Sequence, residues 1–496
     1  MVSKSKRHYF GTDGVRGRVG EPPLVPDFVT RLGYAAGLVL SRTSGSHPTF
    51  LIGRDTRQSG EMLQSALTTG LLASGATVVD LGVITTPGVA FMVQKMGAQA
   101  GVVISASHNP VSENGIKIFN ADALKLNEAI ELEIESYLET PMEEMGAVGY
   151  GRRIDGAELR EFYVDDLVDE HQGVSLAGLK LVLDCANGAA SWYAPQVFSR
   201  LGAEVVTIHA SPTGVNINEH AGSEHVRRNP GDLQAVIDQF GANVGIVFDG
   251  DADRVIFVDE VGHLVDGDHM LAILSDYLAS QEKLLGNTVV STSMRNGALV
   301  RYFADRRINF VETPVGDKYI MAELRALMAS TSRDGQIGLG GEQSGHIILM
   351  DGAHGTGDGL RSAIYLLRAF MASDQYSLAA LADSINKFPQ VIASAVVAEK
   401  IDLDQLEGVM ALKEDLAESL PGLTRLNLRY SGTEPKVRLM LEADNRHTEA
   451  ELAQKAFVLC EAVQQATGTP TGSFLEVLNV TEGGLVEKEH SPKGGN

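Results

Sequence analysis

Cysteine is scarce. The 496-residue chain holds two, Cys185 and Cys460, far apart in sequence. That excludes a disulfide framework and reads as reduced thiols in a cytoplasmic protein. No stretch reaches the ~18 consecutive apolar residues that a membrane helix needs, so no membrane partner is expected. The opening MVSKSKRHYF is basic but lacks the apolar segment of a secretory signal. Positive charge is also in short supply: 41 Lys and Arg against 64 Asp and Glu leave a net charge of −23. A phosphate backbone needs a basic surface, so nucleic acid is excluded as a partner. Under so negative a field, an anionic substrate needs a local basic cluster. The basic residues beside conspicuous loops therefore gain meaning.

What is present is the ordinary composition of a globular protein, 44% hydrophobic and 21% charged. The length is too great for one core and suggests about three or four domains. Short apolar runs such as TFLIG (49–53), ATVVDLG (76–82), GVVIS (101–105), LKLVLD (179–184), AEVVTI (203–208), VGIVFD (244–249) and NTVVST (287–292) alternate with segments of helical spacing such as GEMLQSALTTGLLASG (60–75). This predicts several similar α/β domains with parallel or mixed sheets. A polar turn ends many of the runs: GRDTRQSG (53–60), SASHNP (105–110), DCANGAA (184–190), DGDADR (249–254). Functional loops of α/β units sit at such strand ends. After about residue 390 the texture changes: TRLNLRYSGTEPKVRLMLEA (424–443) reads as a solvent-facing antiparallel pair, followed by a helix. The expected division is 1–157, 158–265 and 266–380 as α/β domains, 381–475 as a smaller α+β domain, and 476–496 as a disordered tail.

Five stretches carry candidate chemistry. In DGDADR, Asp249, Asp251 and Asp253 place three hard oxygen ligands at alternate positions; so many carboxylates repel one another unless a cation sits among them. Mg²⁺ suits the set. A solvated acidic turn and a phosphatase with an aspartyl nucleophile at Asp249 are the alternatives. An EF-hand fails, because Arg254 stands where the loop glycine belongs and the apolar run VIFV follows. Ser107, at a strand end, reads as a nucleophile or phosphate carrier, or else as a helix N-cap; Lys117 in the following GIKIF can set an ammonium beside a phosphate. In YSGTEPKVR (430–438), Ser431, Gly432 and Thr433 offer hydroxyl and backbone donors, and Arg429 and Arg438 offer forked cations. Such a segment is a phosphate cradle or a plain hairpin turn. In GLGGEQSGHIIL (338–349), Glu342, Ser344 and His346 alternate on what reads as an extended segment, so they share a face suited to sugar hydroxyls. In YFGTDGVRGRVG (9–20), Arg16 stands in a Gly-rich turn, where guanidinium and backbone can both meet phosphate.

Together and in this order, FGTDGVRG, ISASHNP, DGDADR, GGEQSGH and RYSGTEPKVR resemble the signatures of the α-D-phosphohexomutase superfamily. The opening FGTDGVRG, the form GEQSGH above all, GVNIN (214–218) and VGDKY (315–319) resemble its bacterial phosphoglucosamine mutase branch. The resemblance covers roughly residues 8–465. It implies three related α/β domains and a smaller α+β domain around a central cleft. It implies a phosphoserine at Ser107, one Mg²⁺ per subunit held by Ser107, Asp249, Asp251 and Asp253, and a sugar loop carrying Glu342 and Ser344. The phosphate loop would carry Arg429, Ser431, Gly432, Thr433 and Arg438, with Arg16, Lys117, Arg254 and His346 in supporting roles. Lys117 is the candidate acid/base if burial lowers its pKa. The implied reaction interconverts glucosamine 6-phosphate and glucosamine 1-phosphate through a 1,6-bisphosphate and supplies amino-sugar nucleotide and cell-wall precursor synthesis. The rivals are a mutase for glucose or mannose phosphates and a metal-dependent sugar phosphatase. A homodimer is a family expectation.

Overall fold

The short apolar runs become strands and the periodic segments between them become helices. A computed structural model of the chain describes residues 7–488 apart from 12, 45–46, 140–148, 172, 332–333, 374–375 and 432–434. Strands β1 (Val15–Arg18), β2 (Thr49–Arg54), β3 (Thr77–Val83), β4 (Ala100–Ile104), β5 (Glu113–Asn120) and β6 (Arg153–Asp155) form the first sheet, in the order β1-β5-β4-β2-β3-β6. Helices α1 (Pro26–Ser44), α2 (Ser59–Ala73), α3 (Thr86–Met96) and α4 (Glu128–Leu138) belong to it. The second unit has β7 (Lys180–Asp184), β8 (Glu204–Ile208), β9 (Val244–Phe248), β10 (Val255–Val258) and β11 (Leu264–Val265), in the order β11-β10-β9-β7-β8. Its helices are α5 (Glu161–Asp169), α6 (Ala190–Arg200), α7 (Ser223–Arg228) and α8 (Pro230–Phe240). The third has β12 (Leu284–Thr292), β13 (Asn309–Thr313), β14 (Ile337–Gly341) and β15 (Ile347–Met350), in the order β13-β12-β14-β15. It carries α9 (Gly267–Ser280), α10 (Ala298–Asp305), α11 (Asp317–Thr331), α12 (Gly359–Ala372) and α13 (Leu378–Ala382).

These three sheets repeat one device. A fully buried parallel strand, β4, β9 or β14, turns sharply and returns as the antiparallel strand β5, β10 or β15. The turns hold SASHNP, DGDADR and the residues between Gly341 and Ile347. Three of the five sequence motifs therefore occupy equivalent hairpins in successive domains. One continuous apolar core, including Leu51, Phe91, Leu183, Phe248, Leu339 and Leu360, runs through all three units. Shared burial on this scale locks the domains together and fixes how their hairpins face one another.

The fourth unit has a core of its own, including Val391, Leu439, Phe457 and Val477. Its sheet has strands β16 (Gln390–Val396), β17 (Leu423–Tyr430), β18 (Lys436–Ala443) and β19 (Glu476–Asn479), ordered β17-β18-β16-β19 and antiparallel throughout. Helices α14 (Glu407–Ser419) and α15 (Glu449–Ala466) complete it, and a capping box between Thr448 and Glu451 starts α15. Two expectations change here. The pair at 424–443 is not solvent-facing throughout, since β18 is mostly buried in mid-sheet. The segment from 476 is not all tail: β19 covers the edge of β16, and Val477 and Val480 are buried. Its polar composition hid two apolar anchors. Residues 489–496 lie outside the described part. Deleting residues 476–496 removes at least about 4 kcal/mol of apolar burial. It should lower the unfolding temperature of this domain by ~10 °C or more in a calorimetric scan; an unchanged transition would show that β19 is dispensable.

Candidate active site

Ser107 sits in the β4–β5 hairpin with φ of 53°, a left-handed conformation that costs a non-glycine residue about 1–2 kcal/mol. Neighbours hold it there. Its N–H donates to Ser105 Oγ (2.9 Å), and that hydroxyl donates to Asp55 Oδ2 (2.7 Å). The fully buried Arg57 pairs with Asp55 (2.9 Å) and donates to the carbonyls of Ser107 (3.1 Å), Asn109 (2.7 Å) and Pro110 (2.5 Å). Asn218, the last residue of GVNIN, adds bonds to the carbonyls of Ser107 (2.8 Å) and Asn109 (3.1 Å). A Cβ on Gly250 would stand 2.5 Å from the Ser107 carbonyl, so only glycine lets the second domain's loop approach this closely. No helix follows Ser107, which removes the N-cap reading.

The acidic loop meets this hydroxyl directly: Ser107 Oγ donates to Asp249 Oδ2 at 2.5 Å. Asp249, Asp251 and Asp253 each offer a carboxylate oxygen, these oxygens lie within 4.8 Å of one another, and all three residues are buried. Burial, then the charges of Asp253 and Asp251, push the Asp249 carboxyl well above the usual carboxylate range. Asp251 Oδ1 and Asp253 Oδ1 are buried without a hydrogen-bond partner among the described residues. Unsatisfied oxygens converging beside a serine hydroxyl fit a hard divalent cation, and they rule out the solvated acidic turn. Helix α3 points its start at the same loop: Thr86 donates through Oγ1 to Asp251 Oδ2 (2.6 Å) and through N–H to the Asp251 carbonyl (3.0 Å).

Lys117 does not behave as the sequence suggested. It lies on β5, buried, with Nζ 2.9 Å from Asp251, 3.5 Å from Asp253 and 3.4 Å from Asp13. Burial opposes its charge, but the carboxylates of Asp13, Asp251 and Asp253 outweigh burial, and its pKa is raised instead of lowered. Lys117 is thus a fixed cation. Arg254 likewise stays charged, because Asp253, Asp249 and Glu224 outweigh its desolvation. Its Nη1 donates to His108 Nδ1 (3.2 Å), and burial followed by the Arg254 charge lowers His108 to about 4. His108 is therefore neutral and shapes the loop.

Arg16 is on β1 opposite Gly115, in a strand and not a Gly-rich turn, and pairs with Asp13. Lys125 bridges Asp13 (2.7 Å) and Asp317 of VGDKY (2.8 Å), tying the first domain to the third. His346 reaches the same group, with Nδ1 3.8 Å from Asp253 and Nε2 3.8 Å from Asp317. Burial disfavours its charge, yet Asp253, Asp317 and Glu342 raise its pKa. The segment from Glu342 to His346 is a tight hairpin turn closed by Gly345, φ 91°, and not the extended segment the alternation predicted. Glu342 accepts from Gly316 N–H (3.2 Å), and Ser344 Oγ is buried with no hydrogen-bond partner among the described residues.

In the fourth domain, Arg429 and Arg438 face each other across β17 and β18. Burial and the Arg438 charge both lower the Arg429 pKa, a repulsion that a bound anion relieves. Ser431 begins the connecting loop, and Lys400 donates to its carbonyl (2.7 Å). Gly432 and Thr433 lie outside the described residues. The described part is a hairpin whose base carries paired cations.

Sequence reasoning missed Asp13, Asp55, Arg57, Thr86, Lys125 and Lys400. Asp55 and Arg57 had a signal, the polar turn GRDTRQSG after an apolar strand. Lys125 and Thr86 had none, because their partners are remote in the chain.

Four family descriptions match in order: Phosphoglucomutase/phosphomannomutase alpha/beta/alpha domain I at residues 7–145, domain II at 161–262, domain III at 266–388, and the C-terminal domain at 392–457. The phosphoglucosamine mutase of Methylobacillus flagellatus is 44% identical over 467 residues, which cover 92% of this chain and 99% of that one. That of Listeria welshimeri is 42% identical, covering 90% and 96%. A crystal structure of a phosphoglucomutase/phosphomannomutase family protein from Burkholderia thailandensis superposes with a TM-score of 0.71 at 25% identity, covering 94% and 98%. Agreement in domain order, hairpin placement and near-complete length leaves one conclusion: the chain belongs to the phosphoglucomutase/phosphomannomutase family of phosphohexomutases.

Proposed function

We propose that this isomerase interconverts glucosamine 6-phosphate and glucosamine 1-phosphate, with Ser107 as the phosphate carrier. The observation that carries the reading is the 2.5 Å contact between Ser107 Oγ and Asp249 inside a buried carboxylate triplet. Near-full-length likeness to phosphoglucosamine mutases supports the choice of sugar. Free, buried Cys185 and Cys460 support a reducing, cytoplasmic setting.

The phosphoryl group on Ser107 Oγ passes to the C1 hydroxyl of the 6-phosphosugar: the P–Oγ bond breaks as the P–O1 bond forms. Transfer of this kind is loose, so the protein supplies position and charge more than covalent chemistry. The C1 hydroxyl proton passes by way of the phosphate oxygens to Ser107 Oγ, which leaves as a hydroxyl, with Lys117 kept as a cation beside it. Asp249, Asp251, Asp253 and the Ser107 phosphate would hold one Mg²⁺, which withdraws charge from the phosphoryl group. Arg254, Lys117 and Arg16 line the reacting end. Glu342 and Ser344 take sugar hydroxyls, and His346 joins that loop to Asp253. Arg429, Ser431, Gly432, Thr433 and Arg438 hold the unreacting phosphate. The 1,6-bisphosphate turns end for end, the 6-phosphate returns to Ser107, and the 1-phosphate leaves. The cradle accepts either phosphate because guanidinium groups bind phosphate through several donor pairs.

Ser107→Ala should abolish the phosphoenzyme, seen by intact mass, and cut turnover of glucosamine 6-phosphate at least about a thousandfold. Surviving turnover with net phosphate release would instead indicate an aspartyl phosphatase. Mg²⁺ at a hundred times its dissociation constant should stabilise the folded protein by about 2.7 kcal/mol. Asp251→Asn should weaken that thermal shift at equal Mg²⁺, and an undiminished shift would place the cation elsewhere.

A further inference from the structure

Gln343 stands between Glu342 and Ser344, yet its side chain does not join the sugar-loop contacts. It is buried, and its Nε2 donates to Asp268 Oδ2 (3.0 Å) at the start of α9 and to Gln390 Oε1 (2.8 Å) at the start of β16. Gln390, also buried, donates through Nε2 to Glu442 Oε2 (3.2 Å) on β18. Glu442 is fully buried, accepts from Gly297 N–H (2.8 Å), and pairs with Arg425 of β17 (3.0 Å from Nε). Arg425 in turn donates to the carbonyls of Ser293 (2.6 Å) and Arg295. The relay ends on two carboxyl groups, Asp268 and Glu442, and Arg425 beside Glu442 favours an acceptor there, which sets the direction of the Gln390 amide. The relay crosses the joint where the two apolar cores remain separate. Polar bonds bridge this joint, including Gly297 N–H to Glu442 Oε2 (2.8 Å) and Arg425 Nη1 to the Ser293 carbonyl (2.6 Å). Hydrogen bonds are directional where apolar contact is not, so they fix the angle between the domains.

The geometry matters because Arg425 and Glu442 are register partners on the same hairpin as Arg429 and Arg438. Four residues of strand separate the two pairs, about 13 Å. A small rotation at the relay therefore swings the arginine pair relative to Glu342 and Ser344. We propose that Gln343 and Gln390 are positioning residues, whose paired amides set the distance between the sugar loop and the phosphate cradle so that one hexose phosphate reaches both. This rests on the loop roles given under Proposed function.

Gln343→Met keeps side-chain length and removes both donors; Gln390→Met cuts the same link from the other domain and serves if the first variant does not fold. Either should raise KM for glucosamine 6-phosphate about tenfold. The inhibition constant of inorganic phosphate, which needs only the cradle, should stay unchanged. The double variant should be no worse than either single one, as expected of residues forming one link. An unchanged KM, a fall in kcat alone, or equal weakening of inorganic phosphate would overturn the proposal. If the parent protein does not convert glucosamine 6-phosphate at all, the assigned reaction fails instead, and the two failures are distinct.

Discussion

Mutual repulsion among three buried carboxylates is the constraint on which this structure depends. Pairs of charges about 4 Å apart repel by roughly 4 kcal/mol even at an effective dielectric constant of 20. Fixed cations offset part of that cost. Lys117 and Arg254 are held ionised by the very carboxylates they neutralise. The remaining deficit shows in the raised Asp249 carboxyl and in one oxygen each of Asp251 and Asp253 that accepts no hydrogen bond among the described residues. A divalent cation would complete the balance.

The fold delivers that point by repetition. Each of three domains sends its reactive loop out as the hairpin between a buried parallel strand and its antiparallel return. A shared apolar core holds these three hairpins toward one another. The fourth hairpin, β17–β18, stands on a separate core and is oriented by polar bonds from Glu442 and Arg425 to Gly297 and Ser293. The division is one of means: apolar burial holds the first three hairpins, and directional polar bonds set the angle of the fourth.

Much of this was legible in the sequence. Continuous apolar runs ending in polar turns predict buried strands, and the candidate residues do lie at the strand ends. Alternating aspartates and a lone strand-end serine are readable because their chemistry needs those side chains at that spacing. What stayed hidden depends on distant pairing. Lys117 reads as a buried lysine, whose pKa should fall; only the three-dimensional approach of Asp13, Asp251 and Asp253 reverses the sign. The polar turn GRDTRQSG marks Arg57 as loop-borne, but gives no sign that it is fully buried and braces the Ser107 loop. Alternation in GEQSGH looks like a strand, because one positive φ at Gly345 leaves no trace in hydropathy. The strand β19 hid for a similar reason, with two valines anchoring an otherwise polar stretch.

The most direct test is spectroscopic. In the phosphorylated protein loaded with Mn²⁺ as a paramagnetic substitute, pulsed electron–nuclear resonance reports whether phosphorus lies one oxygen away from the metal. A strong ³¹P coupling that disappears in Ser107→Ala is predicted if the serine phosphate and the aspartate triplet share one ion. A bound Mn²⁺ with no phosphorus coupling would contradict that arrangement.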